Sequence, residues 1–441
     1  MGVTLAGTSN ADAANTVPCP VCNVVWVTMD TTRADRMGFL GNASQLTPNI
    51  DRHASASRVF PRAYSHAPET LLSVSAFFSG RYRANNGMDF DLVETARYHS
   101  LSADVTTVAE AFARQGYVTV GFNANPVIAQ GKGYSFGLNQ GFTQWSHGDD
   151  AEMTAAAVKY LTALPDQPAF VYVQLMGPHA DNVRLEGFDH RRGTFATSLG
   201  TVTQKFYEDV AAGRTQASET DLAYLRAMYD DAVWEMDQRV GTILDAARAG
   251  KRGGSTLIVL GADHGEALGE PGAKFPRFGH GHALNEELLR VPLVIGGKGI
   301  DPGVDVRVAE LVDVAPTLAS LTGIAIDPSW KWDGQPLAGP GSIVGSTAIS
   351  ERAAWDARQV GARSVSASYL LSPGKNWIKA YDLGDDPMQL APVANLSESH
   401  LLLQAVVKNY LDTAHPPAAA GASTKATDEE LEMLKALGYT Q

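Results

Sequence analysis

The chain has 441 residues, of which 44% are hydrophobic and 19% charged, and a formal net charge of -13. That is material for two or three ordinary domains, or for one large α/β domain with a smaller partner. The acidic balance argues against a nucleic-acid partner, which needs a basic surface, and no apolar run approaches the ~20 residues of a membrane-spanning helix.

Residues 1–22 read as a leader. Ala11-Asp12-Ala13 has the small-x-small form of a signal-peptidase site, without the basic and long apolar regions that precede such a site. A trimmed export signal fits, and with it a periplasmic or secreted location; a plain polar tail also fits. Cys19 and Cys22, as CPVC, are the only cysteines. A lone C-x-x-C is a poor zinc signature, and in an exported chain it suits a local disulfide or nothing at all.

Val24–Val27 is a short, mostly β-branched run, the pattern of a strand buried on both faces of a parallel sheet, with Asp30 just beyond its end. Thr47-Pro48-Asn49-Ile50 marks a turn into a short helix. Thr70–Ser79 reads as a helix stopped at Gly80, which puts Thr70 among the free N–H groups of a helix start. Thr107–Gln115 is helical in period and Val118–Phe122 is strand-like, followed by Asn123 and Asn125. Met153–Leu164 is an amphipathic helix, and Ala169–Leu175 is a buried strand ending at Gly177-Pro178-His179. Residues 181–220 are polar and weakly periodic, the composition of a long surface excursion.

Leu222–Ala249 reads as a long helix and Ser255–Leu260 as a buried strand that runs into Asp263-His264. Val291–Ile295 is a further strand and Val312–Leu321 a further helix. Such alternation predicts an α/β fold, a mostly parallel sheet sandwiched by helices, over 23–340. From 341 to 412 the pattern changes to short strands, at Thr347–Ser350, Ala362–Ser368 and Trp377–Asp382, and a helix from Ser397 to Leu411: a small C-terminal α+β lobe. Residues 413–441 read as an Ala/Pro/Gly-rich linker and a terminal helix, Asp428–Leu437.

Three strand ends thus carry ligand-type residues: Asp30, His179, and Asp263 with His264. Adjacent Asp and His at the end of a buried strand need partners, and a divalent metal is one. Asn123 and Asn125 either contact a substrate oxygen or shape a turn. Arg33 either reaches an anion or pairs with Asp35.

The segments VVWVTMDTTRADRMGFLG, TPNIDRHASASRVFPRAYSHAPETLLSVSAFFSGRY, LIVLGADHGEALGE and FGHGHALNEELLRVPLVI resemble, in this order, the sulfatase branch of the alkaline phosphatase superfamily. DVAPTLASLTGI, AYDLGDDP and ELEMLKALGY resemble its peripheral signatures, so the likeness runs from Asn23 to Gly438. The resemblance implies Asp30, Asp263 and His264 as metal ligands and Thr70 as nucleophile. It also implies His179 and His280 as contacts of the transferred group, with His282 as a companion. Two carboxylates and an imidazole suit a divalent ion such as Zn, Mn or Ca.

The departures are as telling. The family's oxidisable Cys or Ser, in C/S-x-P-x-R, is here Thr70-Leu71-Leu72-Ser73-Val74. Oxidising a threonine would give a ketone, so formylglycine is excluded and the family arginine is absent. Thr31 and Gly177 stand where acidic residues are common, which implies one ion, or one tight and one weak, in place of a well-formed pair. The chain is therefore expected to be a metal-dependent hydrolase of phosphate or phosphonate esters, acting on a small anionic ester or headgroup through a Thr nucleophile. Alternatives are sulfate-ester hydrolysis without formylglycine, phosphoglycerol or phosphoethanolamine transfer, and a non-catalytic sulfatase-like binding protein.

Overall fold

The computed structural model describes residues 18–91, 97–129, 136–179, 209–210, 214–270, 278–339, 342, 346–352, 358–415, 423–428 and 431. Most of the expected leader, the excursion 181–220, the linker and the terminal helix lie outside the described residues.

The centre is an eight-stranded sheet. Its strands in chain order are β1 (Asn23–Met29), β2 (Ser57–Val59), β3 (Val118–Asn123), β4 (Gln144–His147), β5 (Ala169–Leu175), β6 (Thr256–Gly261), β7 (Leu293–Gly297) and β8 (Gly303–Val304). Their spatial order is β8-β2-β7-β6-β1-β5-β3-β4. β1 runs parallel to both neighbours, with Val24 opposite Phe170 on β5 and Leu257 on β6. All seven residues of β1 are buried, and all seven of β5, as expected for strands covered by helices on both faces. The longer helices before the C-terminal unit are α1 (Pro48–Ala54), α2 (Thr70–Ser79), α3 (Val108–Arg114), α4 (Asp150–Thr162), α5 (Glu219–Ala249) and α6 (Val314–Thr322). Thr107, Asp149 and Ser218 start α3, α4 and α5 with reciprocal capping boxes, each satisfying backbone donors that a helix start leaves open.

Helix α2 is buried along its whole length and ends at Gly80, whose φ of 60° is the left-handed stop. An aromatic cluster fixes it to the sheet: the Trp26 ring lies 4.9 Å from Phe77 and 5.8 Å from Tyr172. Each such fully buried ring is worth roughly 1.5–3 kcal/mol, so the helix bearing Thr70 is anchored to the two central strands.

Two strand assignments need correction. Val291–Ile295 is not one strand. It breaks at Pro292, which has no N–H to donate; Val291 pairs with Ala63, while β7 lies antiparallel to β6. Ala362–Ser368 is not one strand either, but the end of β10 (Gln359–Arg363), a turn, and the start of β11 (Ala367–Ser372). Ser364 and Ser366 frame the turn, with the Ser364 hydroxyl accepting from the Ala367 N–H at 3.2 Å. Serine side chains close turns this way, and the alternation around them hid the break.

With β9 (Ala348–Arg352) and β12 (Trp377–Asp382), these strands form an antiparallel meander, β9-β10-β11-β12. One face carries helix α7 (Glu398–Asp412), whose Leu403, Val407 and Tyr410 share a core with Val360, Tyr369 and Ala380. The chain is therefore an α/β protein with a mostly parallel central sheet and a smaller C-terminal α+β unit. Among the described residues no helix is long and apolar enough to cross a membrane. Cys19 and Cys22 are joined in a disulfide.

Candidate active site

The carboxyl ends of β1, β5 and β6 lie side by side, because the three strands are neighbours running the same way. Ligands gather at this edge of an open α/β sheet. Asp30 follows β1, Asp263 and His264 follow β6, and all three are fully buried. One ligand atom from each lies within 4.8 Å of the others. His264 Nε2 is 3.8 Å from Asp30 Oδ1 and 3.8 Å from Asp263 Oδ2. Three atoms held roughly 2.0–2.5 Å from a common centre stand about 3–4 Å apart, so the spacing fits a bound cation.

The protonation pattern fits as well. His264 Nδ1 is 2.9 Å from the Gly265 carbonyl, to which it donates, so Nε2 keeps its lone pair for the centre. Burial depresses the His264 pKa, despite the neighbouring Asp263, and so favours the neutral, ligating imidazole. Burial and the Asp263 charge together push the Asp30 carboxyl well above the usual carboxylate range. Asp30 Oδ1 has no hydrogen-bond partner among the described residues. Two buried carboxylates this close are satisfied by a divalent ion.

Thr70 enters as the first residue of α2. Its Oγ1 donates to Asp30 Oδ2 at 3.5 Å and lies 3.3 Å from His264 Nε2. Ser73, one turn on, donates to the Asp263 backbone carbonyl at 2.6 Å, locking α2 and the end of β6 in register. His280 closes the other side, its ring 4.5 Å from His264 and 4.9 Å from His179. Burial disfavours charge on His280, but the Glu266 carboxylate 3.4 Å away, with Asp30 and Asp263 beyond, raises it to about 9. These neighbours favour the cationic form of the ring, which suits an anion.

The two asparagines separate. Asn123 closes a turn, its amide meeting the backbone of Asn125 at 2.7 and 2.9 Å. Asn125 reaches the centre, donating to Asp30 Oδ2 and, at 3.4 Å, to Thr70 Oγ1. His282 follows His280 on the same loop, half-buried. Arg33 forks onto Asp35 at 2.8 and 2.9 Å and also meets Glu270, the structural pairing.

Position 177, lacking the acidic residue, has a physical reason to stay small. Its φ is 32°, and a Cβ there would lie 2.0 Å from Met236 Cε. Thr31, in place of the second aspartate, holds a left-handed φ of 52°, strained for a β-branched residue. Tyr229 clamps this turn, its hydroxyl donating to the Thr31 carbonyl at 2.7 Å and accepting from the Arg33 N–H at 3.0 Å.

Three residues escaped the sequence reading. Gln174, the penultimate residue of β5, donates from one amide nitrogen to Asp30 Oδ2 at 3.1 Å and to Asp263 Oδ2 at 3.2 Å. A polar residue at the end of a buried strand was its signal, the same one that marked Asp30. Glu69 and Arg352, both buried, carried none.

A profile of the Sulfatase family matches residues 22–324. The choline-sulfatase of Rhizobium meliloti is 36% identical over 122 residues, 27% of this chain and 23% of that protein. Human arylsulfatase A is 26% identical over 342 residues, 72% of this chain and 67% of that one. This chain thus spans less than a quarter of the first relative and about two thirds of the second. Among solved structures, a 2-O GAG sulfatase has a TM-score of 0.70 at 20% identity, covering 89% of this chain and 92% of that one. The phosphonate monoester hydrolase of Agrobacterium radiobacter has a TM-score of 0.64 at 19% identity, covering 89% and 95%. At such identities these two structures speak for the fold, and the profile for the lineage: the chain belongs to the sulfatase family, ester hydrolases of the alkaline phosphatase superfamily.

Proposed function

We propose that this sulfatase-family hydrolase cleaves phosphate or phosphonate esters, with Thr70 as nucleophile and one divalent ion held by Asp30, Asp263 and His264. The observation that carries the reading is the Thr70 hydroxyl, buried at the start of α2 and within 3.5 Å of both Asp30 and His264. Bound there, a divalent cation would lower the pKa of a hydroxyl beside it and draw charge from an anionic ester. Asp30 Oδ2 is the nearest carboxylate to take the Thr70 proton. Thr70 Oγ1 attacks phosphorus in line with the leaving oxygen, giving a phospho-threonine and an alcohol. His280, cationic, and His179 beside it stabilise the non-bridging oxygens and return a proton to the leaving oxygen. Water then attacks phosphorus and releases the threonine.

Sulfate esters are the second reading, favoured by the names of the relatives, choline-sulfatase and arylsulfatase A. The threonine opposes it, since it cannot become an aldehyde. The Cys19–Cys22 disulfide supports a periplasmic or secreted location.

The test is initial rates of metal-reconstituted protein on matched nitrophenyl esters: phosphate monoester, phosphate diester, phosphonate monoester and sulfate. A phosphorus ester turned over by the native chain, and at least ~10³-fold more slowly by Thr70→Ala with its metal retained, is the expected result. Turnover of sulfate alone, or an active Thr70→Ala variant, would overturn it.

A further inference from the structure

Val74 leaves the nucleophile helix without the arginine that an anion at Thr70 would meet, yet another arginine is buried beside the same loop. Strand β9 of the C-terminal meander docks on the segment just before Thr70. Ser350 Oγ donates to the Ser65 carbonyl at 2.7 Å, the Glu351 N–H donates to the His66 carbonyl at 2.7 Å, and His66 Nδ1 is 3.0 Å from the Ile349 carbonyl. Arg352 is the next residue along this strand, 2% exposed.

Successive strand residues face opposite ways, so Glu351 and Arg352 have separate surroundings. Glu351 is engaged on its own side by Arg83 at 2.5 Å, Arg358 at 2.7 Å and the Tyr410 hydroxyl at 2.5 Å. Arg352 Nη1 instead reaches the Gly281 carbonyl at 3.5 Å. Gly281 follows His280, and its N–H donates to the Pro68 carbonyl at 2.9 Å. The guanidinium therefore lies where the loop of His280 meets the loop of Thr70.

Glu69 is the second, independent observation. It is 2% exposed, immediately before Thr70, and neither carboxylate oxygen has a hydrogen-bond partner among the described residues. It holds the N-cap position of α2 without capping it. Burial pushes its carboxyl up to about 8, against the pull of Arg352, His280 and Arg83. A buried carboxyl left this way calls for a partner, and it stands directly before the nucleophile in the chain.

We infer that Arg352 is a substrate-contact residue: its guanidinium binds the non-bridging oxygens of the group transferred to Thr70, beside the buried Glu69 carboxyl. It stands in for the arginine missing at position 74, and it makes the C-terminal unit part of the reacting site. The planar fork of arginine suits a tetrahedral oxyanion and is always charged. The inference rests on the site reading above for its substrate, a tetrahedral oxyanion ester, and not on which residue is the nucleophile.

The experiment is calorimetric titration of inorganic phosphate and inorganic sulfate into metal-reconstituted Thr70→Ala protein, with and without Arg352→Met or Arg352→Lys. Metal content and thermal unfolding are measured on each. Losing the guanidinium should weaken anion affinity about 10- to 100-fold with metal content unchanged; lysine, which keeps the charge and loses the fork, should fall between. A merely structural arginine would lower the unfolding temperature and leave anion affinity within twofold, which overturns the inference. Where the methionine variant does not fold, the lysine variant decides alone, by the same twofold criterion. Because the readout is binding in the Thr70→Ala background, a wrong nucleophile leaves it readable. A parent protein that takes sulfate and refuses phosphate overturns the phosphorus-ester reading, and the Arg352 comparison is then read on sulfate.

Discussion

The central sheet and the C-terminal meander are both built from short strands, but they present side chains to the site in opposite ways. In the central sheet the residues emerge at strand ends: Asp30 from β1, Gln174 and His179 from β5, Asp263 and His264 from β6. Parallel neighbours in register bring those ends to one line, so topology alone assembles the cluster. The meander contributes through the flank of β9, laid against Ser65 and His66, and Arg352 arrives there by docking. A site made by strand ends is robust to what happens elsewhere in the chain. A site completed by docking depends on the contact that holds the two units together.

The largest effect should come from breaking the strand-end cluster. Asp263→Asn keeps the shape of the side chain and removes one charge from the three-residue group, and should abolish stoichiometric metal binding and cut turnover by more than ~10³-fold. Elemental analysis of the purified variant beside its rates checks this; retained metal with full activity would rule out Asp263 as a ligand.

A smaller effect is expected at Gln174, which orients the two carboxylates from behind. Gln174→Ala should weaken metal affinity about 10- to 100-fold, the usual cost of losing such a supporting group, while saturating metal restores most of the rate. Competition against a chelator measures it, and an affinity unchanged from the native protein would reduce Gln174 to packing.

The docking contact should respond to acid. His66 Nε2 accepts from the Arg83 N–H at 3.0 Å, so its proton sits on Nδ1, which donates to the Ile349 carbonyl on β9. Burial, with Arg83 nearby, holds its pKa down to about 4, against the pull of Glu351. The folded value lies below the unfolded one near 6.5, so His66 contributes full stability above about pH 6.5 and loses it as pH falls toward 4. Denaturant unfolding at pH 7.5 and pH 5 should differ by on the order of 2 kcal/mol from this residue. His66→Gln, which cannot titrate, should remove that share of the slope; an identical slope would place the acid sensitivity elsewhere, with His53 the next candidate because burial also lowers its pKa to about 4.

Much of the fold was legible because its signals are local. β-branched runs flanked by turn residues marked β1, β5 and β6, helical periodicity marked the long α5, and each chemically demanding residue sat just past a strand. Where reading failed, the missing information was also physical. Pro292 divides a run that hydrophobicity alone joins, and the Ser364–Ser366 turn lies inside an unbroken alternation. Asn123 and Asn125 are two residues apart and chemically identical, yet one closes a turn and the other touches Asp30.

By itself the sequence determined most of the strands and helices and pointed to Asp30, Asp263 and His264 as candidate ligands, because burial periodicity and the cost of a lone buried charge are written in single residues and short spacings. It also excluded formylglycine, through the covalent chemistry of threonine. Only the tertiary structure decided that Gln174 bridges two carboxylates, that the backbone at 177 turns left-handed with Met236 packed against it, and that Arg352, 283 positions from Glu69, reaches the Gly281 carbonyl. Those are distances between segments remote in the chain, and such distances exist only once the core has packed.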